Sequence, residues 1–211
     1  SLTPKGHLQA QALGKRMALH GLDKIYVSPR IRAQMTAKPT SDILGIEPTI
    51  LDWTDEDKAY KELSVVEPDG RRHWIFATQN TKLRNNDTIN INDGWEKIKE
   101  ISRINTAKEG YERIQRESDA FLASLGYIRD GALYRISKPN NERVAVFCHE
   151  GFGTTWISHL MGIPPHLFWA GFGISHSGVC VFKFDNNEDG LTAPRCICMS
   201  DLSHIYREGL P

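Results

Sequence analysis

An early arginine, Arg32, and a late histidine, His149, are the residues of this chain best suited to chemistry. Both stand where a strand-like run gives way to a helix-like one. His149 closes the run Arg143-Val-Ala-Val-Phe-Cys-His and opens the glycine-rich turn Glu150-Gly-Phe-Gly153. Val144 to Cys148 has the length and the β-branched, aromatic character of a buried strand. Arg32 lies in Ser28-Pro-Arg-Ile-Arg-Ala33, where a short run ends on Ser-Pro and a helix begins with arginines. Open α/β sheets bind ligands beyond the carboxyl ends of parallel strands, where helix N-termini offer free N–H groups. An arginine fork, an imidazole that donates when protonated, and helix N–H groups together suit a phosphoryl group.

The elements that must position these residues are legible in the spacing. Thr3 can cap and Pro4 can start a helix that carries Ala10, Leu13 and Met17 on one face and stops at Gly21. Lys24 to Val27 reads as a strand, Ile31 to Leu44 as a helix stopped by Gly45, and Pro48 to Asp52 as a second strand. Strand, helix and strand at this spacing predict a parallel crossover. From Trp53 to about Asn105 the chain is polar and irregular, with Trp53, Tyr60, Trp74, Phe76 and Trp95 among charges, which predicts a cap-like insertion. Asn80 to Asp93 reads as a loop. Tyr111, Ile114, Ser118, Phe121 and Leu125 share one face of a longer helix before Gly126. Leu133 to Ile136 and Arg143 to Cys148 read as a hairpin turning at Pro139-Asn-Asn141. Gly178 to Phe184 and Cys196 to Met199 read as two further strands. No repeat or interdomain linker interrupts residues 1–211, so a single domain with an insertion at roughly 53–105 is expected.

Composition narrows the function. Lys plus Arg and Asp plus Glu number 26 each in 211 residues, so net charge lends no support to a nucleic-acid or acidic-membrane partner. No apolar stretch approaches the roughly 20 residues that span a bilayer. The four cysteines, Cys148, Cys180, Cys196 and Cys198, sit in apolar runs and are too few for a secreted disulfide framework. They read as buried strand residues, and a cytoplasmic protein is expected.

At three of these segments the chain resembles the histidine phosphatase superfamily, with its phosphoglycerate-mutase-like fold. Leu2, Thr3, Gly6, Gln9 and Ala10 match its L-T-x-x-G-x-x-Q-A pattern. Ser28, Pro29, Arg32, Ala33, Thr36 and Ala37 match S-P-x-x-R-A-x-x-T-A. His149-Glu150-Gly151 is a near variant of the late strand ending in His-Gly. The resemblance implies a three-layer α/β/α sandwich around a mostly parallel central sheet. It also implies a phosphomonoester hydrolase that acts through a phosphohistidine on a small phosphorylated substrate. No metal or cofactor is implied, and neither nucleic acid nor membrane; a homodimer is compatible with it. Arg32 and His149 would hold the phosphoryl oxygens, and a carboxylic acid after the second strand would protonate the leaving oxygen. Glu56 is favoured for that acid, with Asp55 and Asp52 as alternatives. The family's Arg-His-Gly tripeptide has no counterpart here, because Arg72-His73 leads into Trp74 of the irregular stretch. Ser1 is therefore expected to follow a leader bearing the nucleophilic histidine and a second arginine, and the 211 residues are not expected to fold alone.

Three other readings compete. Val144 to Gly151 also resembles the nucleophile elbow of the glutamine-amidotransferase and PfpI-like proteins, with Cys148 as an activated thiolate. The chain could bind a phosphate ligand without catalysis, or be a phosphoglycerate-mutase-type phosphotransferase.

Overall fold

A computed structural model describes residues 1–84 and 94–210. The first helix, α1 (Pro4–His20), starts as its sequence demands: Gly6 N–H donates to Thr3 Oγ1 at 3.1 Å, and Gly21 ends it at φ 71°. Strand β1 (Lys24–Val27) and helix α2 (Ile31–Leu44) follow with the expected bounds, and Gly45 terminates α2 in the left-handed conformation. The two helices close on each other at Gly14, where a Cβ would stand 3.1 Å from the Pro39 carbonyl carbon. Strand β2 (Thr49–Ile50) is shorter than expected. Asp52–Thr54 wind into a single 3-10 turn, with Thr54 Oγ1 donating to Leu51 O at 2.7 Å.

The stretch read as irregular is largely structured. It forms α3 (Glu56–Glu62), the antiparallel pair β3 (Ser64–Val66) and β4 (Arg72–Trp74), and α4 (Asn80–Arg84). Helix α4 occupies the start of the expected Asn80–Asp93 loop; residues 85–93 lie outside those described. Helix α5 (Ala107–Ser124) buries Tyr111, Ile114, Ser118 and Phe121. Strand β5 (Tyr127–Asp130) then turns through Gly131, at φ 61°, into β6 (Leu133–Ile136). Next come β7 (Val144–Phe147), α6 (Glu150–Met161), α7 (Pro165–Gly171), β8 (Val179–Lys183), β9 (Leu191–Thr192), β10 (Arg195–Asp201) and α8 (Ser203–Arg207).

The expected hairpin between residues 133–136 and 143–148 is not formed. Strand β6 pairs antiparallel with β5 and β9, whereas β7 pairs parallel with β1. The β5–β6 turn at Gly131 is tighter than one around Pro139, and β7 finds its continuous apolar partner in β1 instead.

Strand β1 lies between β2 and β7 in a parallel sheet of order β2-β1-β7, with Tyr26 opposite Thr49 and Val146, and Val27 opposite Ile50 and Phe147. Side chains alternate across this sheet. Tyr26, Val144 and Val146 face the main core with Ile114, Phe121, Phe152 and Trp156 of α5 and α6. Val27 and Phe147 face Ala33 and Ala37 of α2. The sheet thus has helices on both faces, a mixed α/β architecture with a parallel centre. The stretch expected to be an insertion joins the main core, since Leu63, Val65, Ile75, Leu83 and Ile98 are all buried in it. Strands β8 and β10 pair antiparallel by themselves. No described helix is long and apolar enough to cross a membrane.

Candidate active site

Because β1 and β7 run parallel and in register, the turns leaving them stand side by side. Arg32, in the first turn of α2, and His149, which precedes α6, meet there: Arg32 Nε donates to His149 Nδ1 at 3.2 Å. An arginine can only donate, so Nδ1 is the acceptor and the imidazole proton sits on Nε2. That proton points to Ser28 Oγ at 2.9 Å. Ser28 is fully buried and also accepts from Arg30 N–H at 3.4 Å, so the Ser-Pro turn fixes the ring's tautomer.

Glu56 opens α3 and reaches across to α6. Gly151 N–H donates to Glu56 Oε1 at 3.3 Å and Phe152 N–H to Oε2 at 3.0 Å. The third tie runs from α2 to α3, where Arg30 Nε and Nη2 donate to Asp55 Oδ1 and Oδ2 at 2.5 and 2.7 Å. Three helix N-termini are therefore stitched in a ring by three side-chain ties. Trp74 packs against this ring at Gly151. A Cβ on Gly151 would stand 2.5 Å from Trp74 Cζ2, so only glycine lets the indole lie there.

The electrostatics follow from burial. His149 is pushed down to about 4, by burial first and by the Arg32 guanidinium second, so the ring is neutral near pH 7. Arg32 therefore supplies the positive charge, and the expected protonated imidazole is not present in this arrangement. Burial raises Glu56 above the ordinary carboxyl range, against the opposing pull of the Phe152 and Gly151 N–H groups and of Arg32. The α6 N–H groups were expected to complete a phosphate cradle. Those of Gly151 and Phe152 instead serve Glu56, and that of Gly153 donates to His149 O at 2.8 Å.

Of the residues singled out from sequence, Arg32, His149 and Glu56 come together. Asp55 is taken by Arg30 and is held below the usual carboxylate range by it, while Asp52 is exposed on the 3-10 turn. Cys148 is half-buried, and desolvation pushes its thiol up to about 12, which is opposite to an activated thiolate. All four cysteines are free. Sequence reasoning missed Ser28 as the partner of His149 and gave Arg30 no role of its own. The consecutive acids Asp55-Glu56-Asp57 were the available signal for a cation nearby. A cavity of about 700 Å³ opens elsewhere, lined by Asp119, Arg129, His159 and Pro164. It lies at the far end of α6, about 15 Å along the helix from His149.

This fold and these motifs place the chain in the histidine phosphatase superfamily (branch 1), whose pattern matches residues 1–195. A curated relative from Hydrogenobacter thermophilus, "Putative phosphoserine phosphatase 2", is 36% identical over 73 residues, which are 35% of this chain and 33% of that protein. The matched stretch thus spans a third of the relative's length. Among solved structures, phosphoserine phosphatase of Entamoeba histolytica superposes with a TM-score of 0.62 at 17% identity, covering 97% of this chain and 86% of that one. A mycobacterial glucosyl-3-phosphoglycerate phosphatase gives 0.58 at 13% identity, covering 96% and 88%. The α-ribazole phosphatase of Shigella flexneri gives 0.55 at 18% identity, covering 93% and 83%. At these identities the likeness is one of fold.

Proposed function

We propose that this chain belongs to a phosphomonoester hydrolase that works through a phosphohistidine intermediate on a small phosphorylated substrate. The observation that carries this reading is the 3.2 Å approach of Arg32 Nε to His149 Nδ1 at the carboxyl ends of two paired parallel strands. Phosphoryl transfer asks a protein mainly for positioning and for donors aimed at the equatorial oxygens. Arg32, which is exposed, presents the fork, and His149 presents a second nitrogen beside it. A phosphoryl oxygen entering between them takes over the Arg32 donor. His149 then gains a proton and becomes a donor in turn.

Glu56 is the proposed acid. Its burial keeps the carboxyl protonated to higher pH than usual, as protonating a leaving oxygen requires, and its carboxylate form then deprotonates the attacking water. Both ring nitrogens of His149 are engaged, which suits an oxygen holder rather than the nucleophile. The attacking imidazole is assigned by family resemblance to an Arg-His-Gly tripeptide that these 211 residues do not contain. The similar proteins are named as phosphatases of phosphoserine, glucosyl-3-phosphoglycerate and α-ribazole, which supports a small substrate. Four unpaired cysteines support a reducing, cytoplasmic setting.

Brief incubation of the intact protein with a ³²P-labelled ester, followed by quenching, tests the reading. An acid-labile, alkali-stable phosphoenzyme is expected. Hydrolysis without it would contradict the covalent route. Phosphate binding without any hydrolysis would favour the second reading, a phosphate-ligand binder, which the fully engaged His149 ring also fits.

A further inference from the structure

Arg30 stands two residues before Arg32, yet its guanidinium is spent on carboxylates. Nε and Nη2 hold both oxygens of Asp55, and Nη1 lies 2.6 Å from Asp57 Oδ2. Asp55 and Asp57 are the chain neighbours of Glu56 on either side. One planar cation therefore pins the residue before and the residue after the proposed acid. Asp55 Oδ1 also accepts from Asp57 N–H at 2.9 Å and so caps α3. Glu56 leaves this clamped turn in the other direction, toward the Gly151 and Phe152 N–H groups.

We infer that Arg30 is a positioning residue for Glu56, fixing the first turn of α3 so that the Glu56 carboxyl is delivered to the start of α6. This rests on the reading of Glu56 as the acid. An exposed ion pair contributes little, but this one is bidentate, engages a third oxygen, and is two-thirds buried on the arginine side and more on Asp55, at 34% and 22% exposure. The Gly151 and Phe152 N–H groups that this placement brings to Glu56 favour its charged form, so a displaced carboxyl would lose them. The other charged or titratable groups around Glu56 are Arg32 from α2, Glu150 on α6, and His149 and Cys148 before it. Arg32 already favours charge on Glu56 and is retained when Arg30 is replaced, so a change in that variant reports the lost placement.

The test compares Arg30→Met and Arg30→Lys in the intact protein, using glycerol 2-phosphate and 4-nitrophenyl phosphate as probes. The alkoxide leaving group needs the acid and nitrophenolate does not. Arg30→Met is expected to lower kcat on glycerol 2-phosphate about 10- to 100-fold, the scale of a small misplacement. KM is expected to change less than about twofold, and the nitrophenyl ester to suffer far less. The pH limb belonging to Glu56 is expected to move upward. Arg30→Lys, which keeps the charge but loses the fork, should restore only part of that limb and part of kcat. Equal losses on both esters, or no loss on either, would overturn the inference. A ¹³C titration of the Glu56 carboxyl, assigned with Glu56→Gln, decides the matter without turnover: the midpoint rises in Arg30→Met if the inference holds and stays put if it does not. Should the wild type hydrolyse neither ester, the functional reading fails, while the titration midpoint still shows whether Arg30 acts on Glu56.

Discussion

Glutamine in place of Glu56 is expected to lower kcat on glycerol 2-phosphate by about 100- to 10,000-fold, the span that general acid catalysis contributes. The loss on 4-nitrophenyl phosphate should be much smaller, because nitrophenolate departs unprotonated. The substitution also separates the two jobs that Glu56 holds in the structure. Its carboxylate accepts from Gly151 and Phe152 N–H, so it caps α6 from a neighbouring helix. Glutamine keeps one acceptor oxygen for those groups, and a modest change in melting temperature is expected. Alanine keeps neither, and a further loss of about 1–3 kcal/mol is expected from the unmet N–H groups. Steady-state kinetics on the two esters and thermal denaturation of both variants check this. A Glu56→Gln protein that turned over glycerol 2-phosphate normally would reduce Glu56 to a cap.

The second large effect concerns His149. Its replacement by alanine is expected to lower kcat about 100- to 1,000-fold, as removal of one donor to a developing charge does elsewhere. The ring also couples binding to protons. In the free site it is held near 4 by burial and by Arg32, with a smaller push from Arg30, while Asp55 and Asp57 pull it up. A bound dianion removes Arg32 from Nδ1 and favours the imidazolium, so phosphate binding takes up a proton. Affinity should therefore fall as pH rises from about 4 through the higher value of the bound ring, beyond the slope due to phosphate itself. The His149→Ala protein should lack that extra slope in calorimetric titrations. The same depressed value has a consequence for stability, with the opposite sense. The neutral ring is favoured in the folded chain, so its contribution is complete above about 6.5 and is lost as pH falls toward 4.

Much of this site was readable from residue order. Ser-Pro followed by arginines, and an apolar run closed by His-Glu-Gly, each mark a strand that ends where a helix begins, and periodicity placed β1, α2 and the body of α5 correctly. Parallel pairing of β1 with β7 then brings Arg32 and His149 together without further information. What could not be read was set by long-range contact. Strand β5 is short and carries Arg129 and Asp130, so nothing in its pattern separates it from the helix end, and its neighbour β6 was assigned to the wrong partner. The insertion looked irregular because its apolar residues are widely spaced. Leu63, Ile75, Leu83 and Ile98 become a continuous core only when folded against α5 and α6. Arg30 drew no role from its sequence for a similar reason, since its partners Asp55 and Asp57 are 25 and 27 residues away at the start of α3.

Binding of vanadate to the intact wild type, Arg32→Ala, His149→Ala and the double variant, measured by titration calorimetry, tests most directly whether two side chains far apart in sequence hold one anion. Each single change is expected to weaken binding about 10-fold or more, consistent with loss of a hydrogen bond to a charged group. The double variant should lose clearly less than the sum, by at least about 0.5 kcal/mol, because either change alone already dismantles the shared contact. Strictly additive losses, or a single variant that binds vanadate like the wild type, would contradict the account.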